Sequence, residues 1–206
     1  MTREKQENCK RPYTLGKRLE LSDRNRAKIL AAARAQLESN GFLNFTLDGL
    51  ARESGITRQT IHNLFGTKTD VLEALFDQIA LDSGMERMRI VMQQSDPAAM
   101  LSGFVEVFTS FWSRNRMLLR RIHGIAAIDP EFGAAVEARN RRRRGAAARV
   151  VEMFGKRSGE RHSAERRAVL YALTSFEFYD ALAESCGDEN EAAQMVRSIV
   201  EKAVLS

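Results

Sequence analysis

The chain has 206 residues, of which 44% are hydrophobic and 29% charged, and its formal net charge at pH 7 is +5. This composition fits a globular protein, and the chain has neither an apolar run long enough to cross a bilayer nor the apolar stretch of a secretion signal. Its cysteines, Cys9 and Cys186, stand far apart without metal-ligand spacing, which predicts a cytoplasmic protein with unpaired thiols.

The excess positive charge lies in the first third of the chain. Residues 1–70 hold 13 Lys and Arg against 8 Asp and Glu, whereas residues 71–206 hold 19 of each. Because concentrated positive charge attracts phosphate groups, this asymmetry favours a nucleic-acid partner for the N-terminal part.

Residues 1–21 are predicted to be a disordered basic arm, since they are rich in Lys and Arg and lack apolar periodicity. Such an arm either stays a solvated tail or reaches along the phosphates or into a minor groove. A first helix is predicted from Ser22, which can cap it, to about Asn40. Gly41 is the expected stop, as glycine commonly follows a helix C-terminus.

The stretch from 46 to 65, TLDGLARESGITRQTIHNLF, has the spacing of a helix-turn-helix. One short helix is predicted before Gly55 and one after it, because glycine adopts a positive φ in a turn at no steric cost. The second helix then offers polar side chains that can bond to DNA. A surface helix pair with ordinary solvated residues is the competing interpretation. Apolar or small residues recur where the two helices would cross: Leu47, Leu50, Ala51, Ser54, Ile56, Ile61 and Leu64.

The rest of the chain is predicted to be a larger helical unit without strands. Two Asp-Pro pairs, at 96–97 and 129–130, are typical helix starts, with aspartate at the cap and proline at the first helical position. About nine helices are expected in all. After the first three, they are predicted to run from Thr67 to near Ser83 and over 97–113, 115–126, 130–154, 164–186 and 189–204.

The segment from about Ala27 to Leu72 resembles the N-terminal domain of TetR-type (tetracycline-repressor-like) transcriptional regulators. The resemblance covers about 50 of 206 residues. It implies an all-α protein with an N-terminal three-helix DNA-binding domain, over 22–67, and a helical effector-binding and dimerisation domain, over 68–206. The residues that carry it are Gly41-Phe42, Thr46, Leu50-Ala51, Ser54-Gly55-Ile56-Thr57, Phe65, Lys68 and Val71-Leu72.

The type and position of several residues indicate candidate DNA contacts. Arg58 and Gln59 suit the edges of guanine and adenine, and Thr60 suits a thymine methyl group. Phosphate contacts are expected at helix N-termini and from nearby donors, although capping alone or ordinary solvation is the alternative. They comprise Thr46, Thr57, His62 and Lys68, and Asn63 is expected to contact a phosphate or a water molecule.

Two of these residues depart from the pattern of the family. At Gln59 the family usually has a small residue, so this longer side chain is expected to reach a base. At His62 it usually has a tyrosine that touches a phosphate. A ring N–H of the histidine is expected to take that role, with a charge that titrates near neutral pH.

An effector pocket is expected in the C-terminal half because of the resemblance, although plain helical core is the alternative. Its expected lining is Phe104, Phe108, Trp112, Phe176 and Tyr179. A dense basic run, comprising Arg139 and Arg141–Arg144, is interpreted as a solvated helix face or loop. A second DNA-contacting surface or an attraction to an acidic partner remain open for this run.

A homodimer through the last two predicted helices is expected, because two DNA-binding domains would then bind one palindromic operator. Both helices carry apolar stripes, which burial within one chain would equally explain. The stripes are Val169, Ala172, Leu173 and Phe176, then Ala193, Val196, Ile199 and Val200.

Taken together, these patterns predict a cytoplasmic, nucleoid-associated DNA-binding transcriptional regulator, with repression relieved by a small effector favoured. Two alternatives stay open: a helical ligand-binding or interaction protein that no longer reads an operator, and a chromosome-organising DNA binder. No enzyme, cofactor or metal site is predicted, since His62, His123 and His162 are scattered and no glycine-rich phosphate loop occurs.

Overall fold

The computed structural model describes residues 12–40, 45–158 and 163–205, which form ten α-helices and no strand. The predicted all-α fold is confirmed. Proximity of Cα atoms divides the chain into an N-terminal unit, up to Val71, and a C-terminal unit, from Leu72. Within the described ranges, no helix combines the length and the apolar character that crossing a membrane requires.

The N-terminal unit holds α1 (Pro12–Asn40), α2 (Leu47–Ser54), α3 (Arg58–Phe65) and the first turn of α4 (Lys68–Asp82). Its core is apolar and is formed by the first three helices together with Phe45, which lies between α1 and α2. Gly49 lets α2 approach α1 closely, because a Cβ at this position would lie 2.8 Å from the Nε2 atom of Gln36. The core includes Ile29, Leu30, Ala33, Leu37, Phe45, Leu50 and Ile61.

The helix α1 starts ten residues before the expected Ser22 cap, so part of the predicted disordered arm is helical. Proline is accepted at the first helical position, where its missing N–H costs nothing. Residues 16–20 of this extension are exposed, so this part of it buries little. Residues 1–11 of the predicted arm, and the stop expected at Gly41, lie outside the described residues.

The C-terminal unit contains the rest of α4 and six further helices. These are α5 (Arg87–Val91), α6 (Pro97–Ile128), α7 (Pro130–Ser158), α8 (Ser163–Leu173), α9 (Phe176–Cys186) and α10 (Glu189–Leu205). The long α6 is central, because it packs against α5, α7, α9 and α10. Its inward side supplies much of the core, including Phe104, Phe108, Phe111, Trp112 and Leu119.

Three details of the C-terminal unit differ from the prediction. The expected break near residue 114 is absent from α6, where the amide of Asn115 is buried and donates to Ser83 Oγ at 2.7 Å and to the Phe111 carbonyl at 3.0 Å. The short α5 was not predicted. Conversely, the helix expected over 164–186 is interrupted at Thr174 and Ser175.

Candidate nucleic-acid interface and buried cavity

The helix α2 begins and ends as the sequence predicted. Thr46 is its N-cap, and its Oγ1 accepts a hydrogen bond from the Gly49 N–H at 3.0 Å. Gly55 ends the helix with a φ of 68°, and its N–H donates to the Ala51 carbonyl at 3.1 Å. A residue with a Cβ would be strained at this φ, so the glycine fixes the turn that leads into α3.

The helix α3 is held by a cap and by one buried side chain. The Oγ1 of Thr57 accepts a hydrogen bond from the Thr60 N–H at 3.2 Å, which satisfies one of the free donors at the helix start. Ile61 is fully buried and faces the core formed with α1 and α2. The polar side of α3 is thereby turned outward.

The outward side of α3, which we call the α3 surface, consists of Arg58, Gln59, Thr60, His62 and Asn63. Four of these side chains are exposed, and Thr60 is partly exposed. Gln59 Nε2 donates to Asn63 Oδ1 at 2.9 Å, so their amide groups are aligned along the helix. The structure therefore brings together all five residues that the sequence placed on this helix.

Arg58 is held only weakly on the α3 surface. Its Nη1 lies 3.4 Å from Asp48 Oδ2, and the two side chains are 65% and 67% exposed. Ion pairs between exposed groups contribute little, because water screens them and ordering the side chains costs entropy. The guanidinium can therefore leave Asp48 for a stronger acceptor.

The ring of His62 is oriented by a backbone contact, with Nδ1 at 2.7 Å from the Gly66 carbonyl oxygen. A carbonyl oxygen only accepts hydrogen bonds, so Nδ1 carries the proton. In the neutral ring, Nε2 is then an acceptor, and it becomes a donor only in the imidazolium form. The expected phosphate contact from Nε2 thus requires a charged ring.

The start of α4 is fixed by a capping box. Asp70 Oδ2 accepts from the N–H and from the hydroxyl of Thr67, both at 2.7 Å, and the Asp70 N–H donates to Thr67 Oγ1 at 3.2 Å. The backbone hydrogen bond from Thr67, and then the one from its hydroxyl, hold the pKa of Asp70 below its usual value. Lys68, the first residue of α4, is partly exposed beside this box.

The C-terminal unit contains a cavity of about 260 Å³. Two of the five side chains that the sequence proposed for a pocket, Phe108 and Trp112, line it. Phe104, Phe176 and Tyr179 are buried core residues outside its lining. Most of the wall is apolar and includes Phe76, Met85, Met88, Phe111 and Val136; its polar members are Asp77, His123, Arg139, Asn140, Arg142 and Arg143.

The arginine run does not form a wholly solvated face, and that interpretation is wrong for Arg139 and Arg143. Arg143 is only 6% exposed, and its Nη1 donates to the Tyr171 carbonyl at 2.5 Å. Arg139 Nη2 bonds to Asp77 Oδ1 at 2.6 Å. The two arginines lie four residues apart on α7, so they share a face with the buried Val136. Arg141, in contrast, is exposed, as expected.

The sequence contains a signal for the inward position of Arg143, namely the apolar period of α7. The buried positions Val136, Arg143, Ala147 and Val150 follow one helix face, and that face passes through the basic run. The helical period of α7 separates the inward arginines from the outward ones, and a block of like charge, taken by itself, does not show this difference.

Comparisons with known proteins point to one family. Residues 29–75, which include all of α2 and α3, match the model for bacterial regulatory proteins of the tetR family. The HTH-type transcriptional regulator EthR of Mycolicibacterium smegmatis is 30% identical over 112 residues, covering 53% of this chain and 51% of EthR. The chain therefore matches about half the length of this curated relative.

Solved structures extend the likeness to both units. A TetR transcription regulator from Haloarcula marismortui has a TM-score of 0.69 at 18% identity, over 88% of this chain and 97% of its own. NalD of Pseudomonas aeruginosa, the secondary repressor of the MexAB-OprM multidrug efflux pump, has a TM-score of 0.66 at 19% identity, over 90% and 98%. At these identities the likeness establishes the common fold.

Proposed function

Because the chain belongs to the TetR family of bacterial regulatory proteins, we propose that it is a DNA-binding transcriptional repressor. It binds a palindromic operator as a homodimer and is released when a small effector enters the C-terminal unit. Its place of action is the cytoplasm, at the nucleoid. The observation that carries the proposal is the α3 surface, a row of exposed donors and acceptors on a helix whose opposite side is anchored by the buried Ile61.

Arg58 and Gln59 supply base recognition in this proposal. An arginine pairs with the O6 and N7 atoms of guanine through two hydrogen bonds, and a glutamine pairs similarly with adenine. Both side chains lie in the first turn of α3, the part of a recognition helix that meets base edges. Thr60, one turn beyond Thr57, offers a methyl group to thymine.

Phosphate contacts then position the domain on the duplex. Thr46 and Thr57 present hydroxyls at the N-termini of α2 and α3, where the helix dipole and backbone N–H groups favour an anion. Lys68 contributes a positive charge at the start of α4. His62 and Asn63 complete the set from the far end of the α3 surface.

The proposed dimer uses the last helices of the chain. Several apolar side chains on α8 and α10 stay partly exposed within one chain, although Phe176, Val196 and Val200 are buried in its own core. Covering apolar surface of this kind is a common driving force for symmetric association. The partly exposed side chains are Val169, Leu173, Ala193, Met195 and Ile199.

Selection of bound DNA from a random pool tests the proposed function directly. The expected product is an inverted repeat whose affinity falls steeply with salt, since phosphate contacts release counterions. A protein that has lost operator recognition would enrich no sequence. A chromosome-organising protein would bind all sequences with similar affinity, and genome-wide mapping would find many scattered sites.

Arg58→Ala should relax specificity at one operator position. The expected loss is about 1–3 kcal/mol on the selected operator, with little change on random DNA. Arg34→Ala is the matched control, because Arg34 is an arginine of α1 paired with Glu38 at 2.9 Å. Fluorescence anisotropy with both DNAs measures the two affinities, and an equal loss on both would reject the base contact.

A further inference from the structure

We propose that the cavity of the C-terminal unit binds a small organic carboxylate. Its anionic group becomes the counter-ion of Arg143, and its apolar body lies against the aromatic side chains of α6. The proposal rests on the proposed function, because it gives the effector its chemical class.

The first observation is a buried cation whose hydrogen-bond partners are neutral. Arg143 is 6% exposed, and its Nη1 donates to the Tyr171 carbonyl at 2.5 Å and to Thr174 Oγ1 at 3.4 Å. Its Nε is buried without a hydrogen-bond partner among the described residues. Burying a charge is costly unless a counter-ion compensates it. This desolvation lowers the pKa of Arg143.

The neighbouring carboxylates are already engaged. Asp77 pairs with Arg139 at 2.6 Å, and Glu137 pairs with Arg144 at 3.3 Å. Glu177 Oε1 lies 2.9 Å from His123 Nδ1, and this hydrogen bond lowers the pKa of Glu177 to about 2. Glu177 also attracts Arg143 at longer range, which opposes part of the desolvation of the guanidinium. Within the described ranges, no carboxylate forms a salt bridge with Arg143 within 4.0 Å.

The second observation is the cavity that Arg143 lines. Its volume of about 260 Å³ is slightly below the range of roughly 300–1,000 Å³ that drug-sized ligands occupy, so the ligand is small. The guanidinium carbon of Arg143 lies 5.9 Å from the centre of the Phe108 ring, which also lines the cavity. An anion with an aromatic or short aliphatic body matches this pairing of one charge with an apolar wall.

The charges of the lining favour an anion. Three arginines, Arg139, Arg142 and Arg143, line the cavity against one aspartate, Asp77. A guanidinium pairs with a carboxylate through short, charge-assisted hydrogen bonds, and a small shift of the side chain would present its donors. A phosphate is less suitable, because Arg139 is already paired with Asp77 at 2.6 Å, which leaves too few donors for the additional oxygen atoms and charge of a phosphate.

The same guanidinium links the cavity to the interruption between α8 and α9. Arg143 bonds to the last turn of α8, and the indole N–H of Trp112, another lining residue, donates to the Thr174 carbonyl at 3.1 Å. A carboxylate that draws Arg143 toward the cavity therefore competes with the Tyr171 carbonyl. Ligand binding thus acts on a helix that carries part of the proposed dimer surface.

The test compares three ligands of one shape: 4-phenylbutyrate, its neutral amide 4-phenylbutyramide, and the cation 4-phenylbutylamine. Isothermal titration of the full chain should give a binding constant for the carboxylate at least about tenfold stronger than for the other two, since a charge-assisted pair is lost in each. Equal affinities for acid and amide, or no measurable binding of the acid, would overturn the proposal.

Arg143→Gln keeps a donor for the Tyr171 carbonyl and removes the charge, and should reduce carboxylate affinity about tenfold or more. Arg144→Gln is the matched control, because Arg144 is exposed and also contacts Tyr171, through its hydroxyl at 3.2 Å. Equal affinities in the two variants would also overturn the proposal. If Arg143→Gln fails to fold, the comparison of the three ligands on the unmodified chain decides.

Operator binding by the same preparation separates this proposal from the proposed function. A chain that binds its selected operator but discriminates none of the three ligands refutes the carboxylate site alone. A chain that binds the carboxylate selectively but enriches no DNA sequence refutes the repressor function and leaves the site standing. The expected result is selective binding together with weaker operator affinity in the presence of 4-phenylbutyrate.

Discussion

His62 presents one ring nitrogen, Nε2, on the α3 surface, because its side chain is exposed and Nδ1 is held by the Gly66 carbonyl at 2.7 Å. In this arrangement Nε2 donates to a phosphate only when the ring is charged. The tyrosine usual in the family would donate from its hydroxyl without carrying a charge.

His62→Phe should lower operator affinity about threefold to tenfold, because one hydrogen bond of this kind contributes about 1 kcal/mol net. His62→Tyr, which supplies a donor hydroxyl, should keep most of the affinity, and His123→Gln, which alters a histidine of the C-terminal unit, should leave it unchanged. Anisotropy titrations at constant pH and ionic strength measure the three affinities, and an unchanged affinity for His62→Phe would contradict the contact.

Individual residues of the N-terminal unit were predictable because their roles are local. The positive φ of Gly55 and the caps at Thr46 and Thr57 depend on neighbours within a few residues. The environment of Arg143 is set instead by Tyr171 and Thr174, which are 28 and 31 residues away. Charge alone predicted a solvated arginine, whereas the apolar period of α7 and its packing against α8 place Arg143 inward.

At the scale of whole elements, the interruption between α8 and α9 is stabilised from both sides. Ser175 caps α9 and accepts a hydrogen bond from the Phe178 N–H at 3.2 Å. The carbonyls that end α8 accept side-chain donors, because Arg143 bonds to Tyr171 and Trp112 to Thr174. A helix end that is partly buried requires such partners, and here they come from α6 and α7.

Ser175→Ala should lower the free energy of unfolding by about 1 kcal/mol, the usual cost of losing a helix N-cap. Ser185→Ala serves as the control, because its hydroxyl donates to the Ala181 carbonyl within α9 and is exposed. That change should alter stability by less than about 0.5 kcal/mol. Urea denaturation compares the two variants, and equal midpoints would show that the serine is not an effective cap.

The capping box at the start of α4 makes a contribution to the free energy of unfolding that depends on pH. The pKa of Asp70 is lowered by its hydrogen bonds from Thr67, so its carboxylate stabilises the folded chain above the pKa of the unfolded state, about 3.9. This contribution is lost as the pH falls through the lower pKa of the folded state.

Asp70→Asn should therefore be less stable than the unmodified chain at pH 7 by about 0.5–1 kcal/mol, the range for a cap at an exposed helix start. The difference should shrink as the pH is lowered below about 4, where the carboxylate begins to take up a proton. Asp23→Asn, an exposed aspartate of α1, should show no such difference. Thermal unfolding across this pH range measures it, and a difference that grows in acid would contradict the assignment.

Helix boundaries were predictable where the sequence itself carries a local start signal. Pro97 and Pro130 each begin a helix after an aspartate, as expected. An interruption was expected near residue 114, but α6 continues because Ser83 and the Phe111 carbonyl satisfy the buried amide of Asn115. Ser175 caps α9, so the chain does carry a local signal for the interruption within the helix expected over 164–186.

At the scale of the whole molecule, the positive excess and the proposed apolar interface lie in different parts of the chain. The positive excess lies within residues 1–70, which include the α3 surface, whereas partly exposed apolar side chains lie on α8 and α10. One charged surface of this size binds DNA weakly and with high salt dependence. Pairing two such surfaces through an apolar interface supplies the affinity and symmetry that a palindrome requires.

The chain should consequently have the mass of a dimer at micromolar concentration, and Met195→Glu with Ile199→Glu should convert it to a monomer. These residues lie four apart on α10 and so share a face, and Met195 is 37% exposed. Two charges buried in an apolar interface cost far more than the contacts they replace. Analytical ultracentrifugation measures the mass.

Leu81→Glu is the control, because Leu81 is an apolar residue of α4 that is 61% exposed and lies outside the proposed interface. The double variant should lose affinity for the full palindrome by about a hundredfold, since linking two binding domains gains a factor of this order, and should keep the affinity of the unmodified chain for a single half-site. A monomeric mass for the unmodified chain would contradict the dimer itself. A double variant that remains dimeric would instead place the interface on another face, because two glutamates cannot be accommodated in an apolar contact without a partner for their charge.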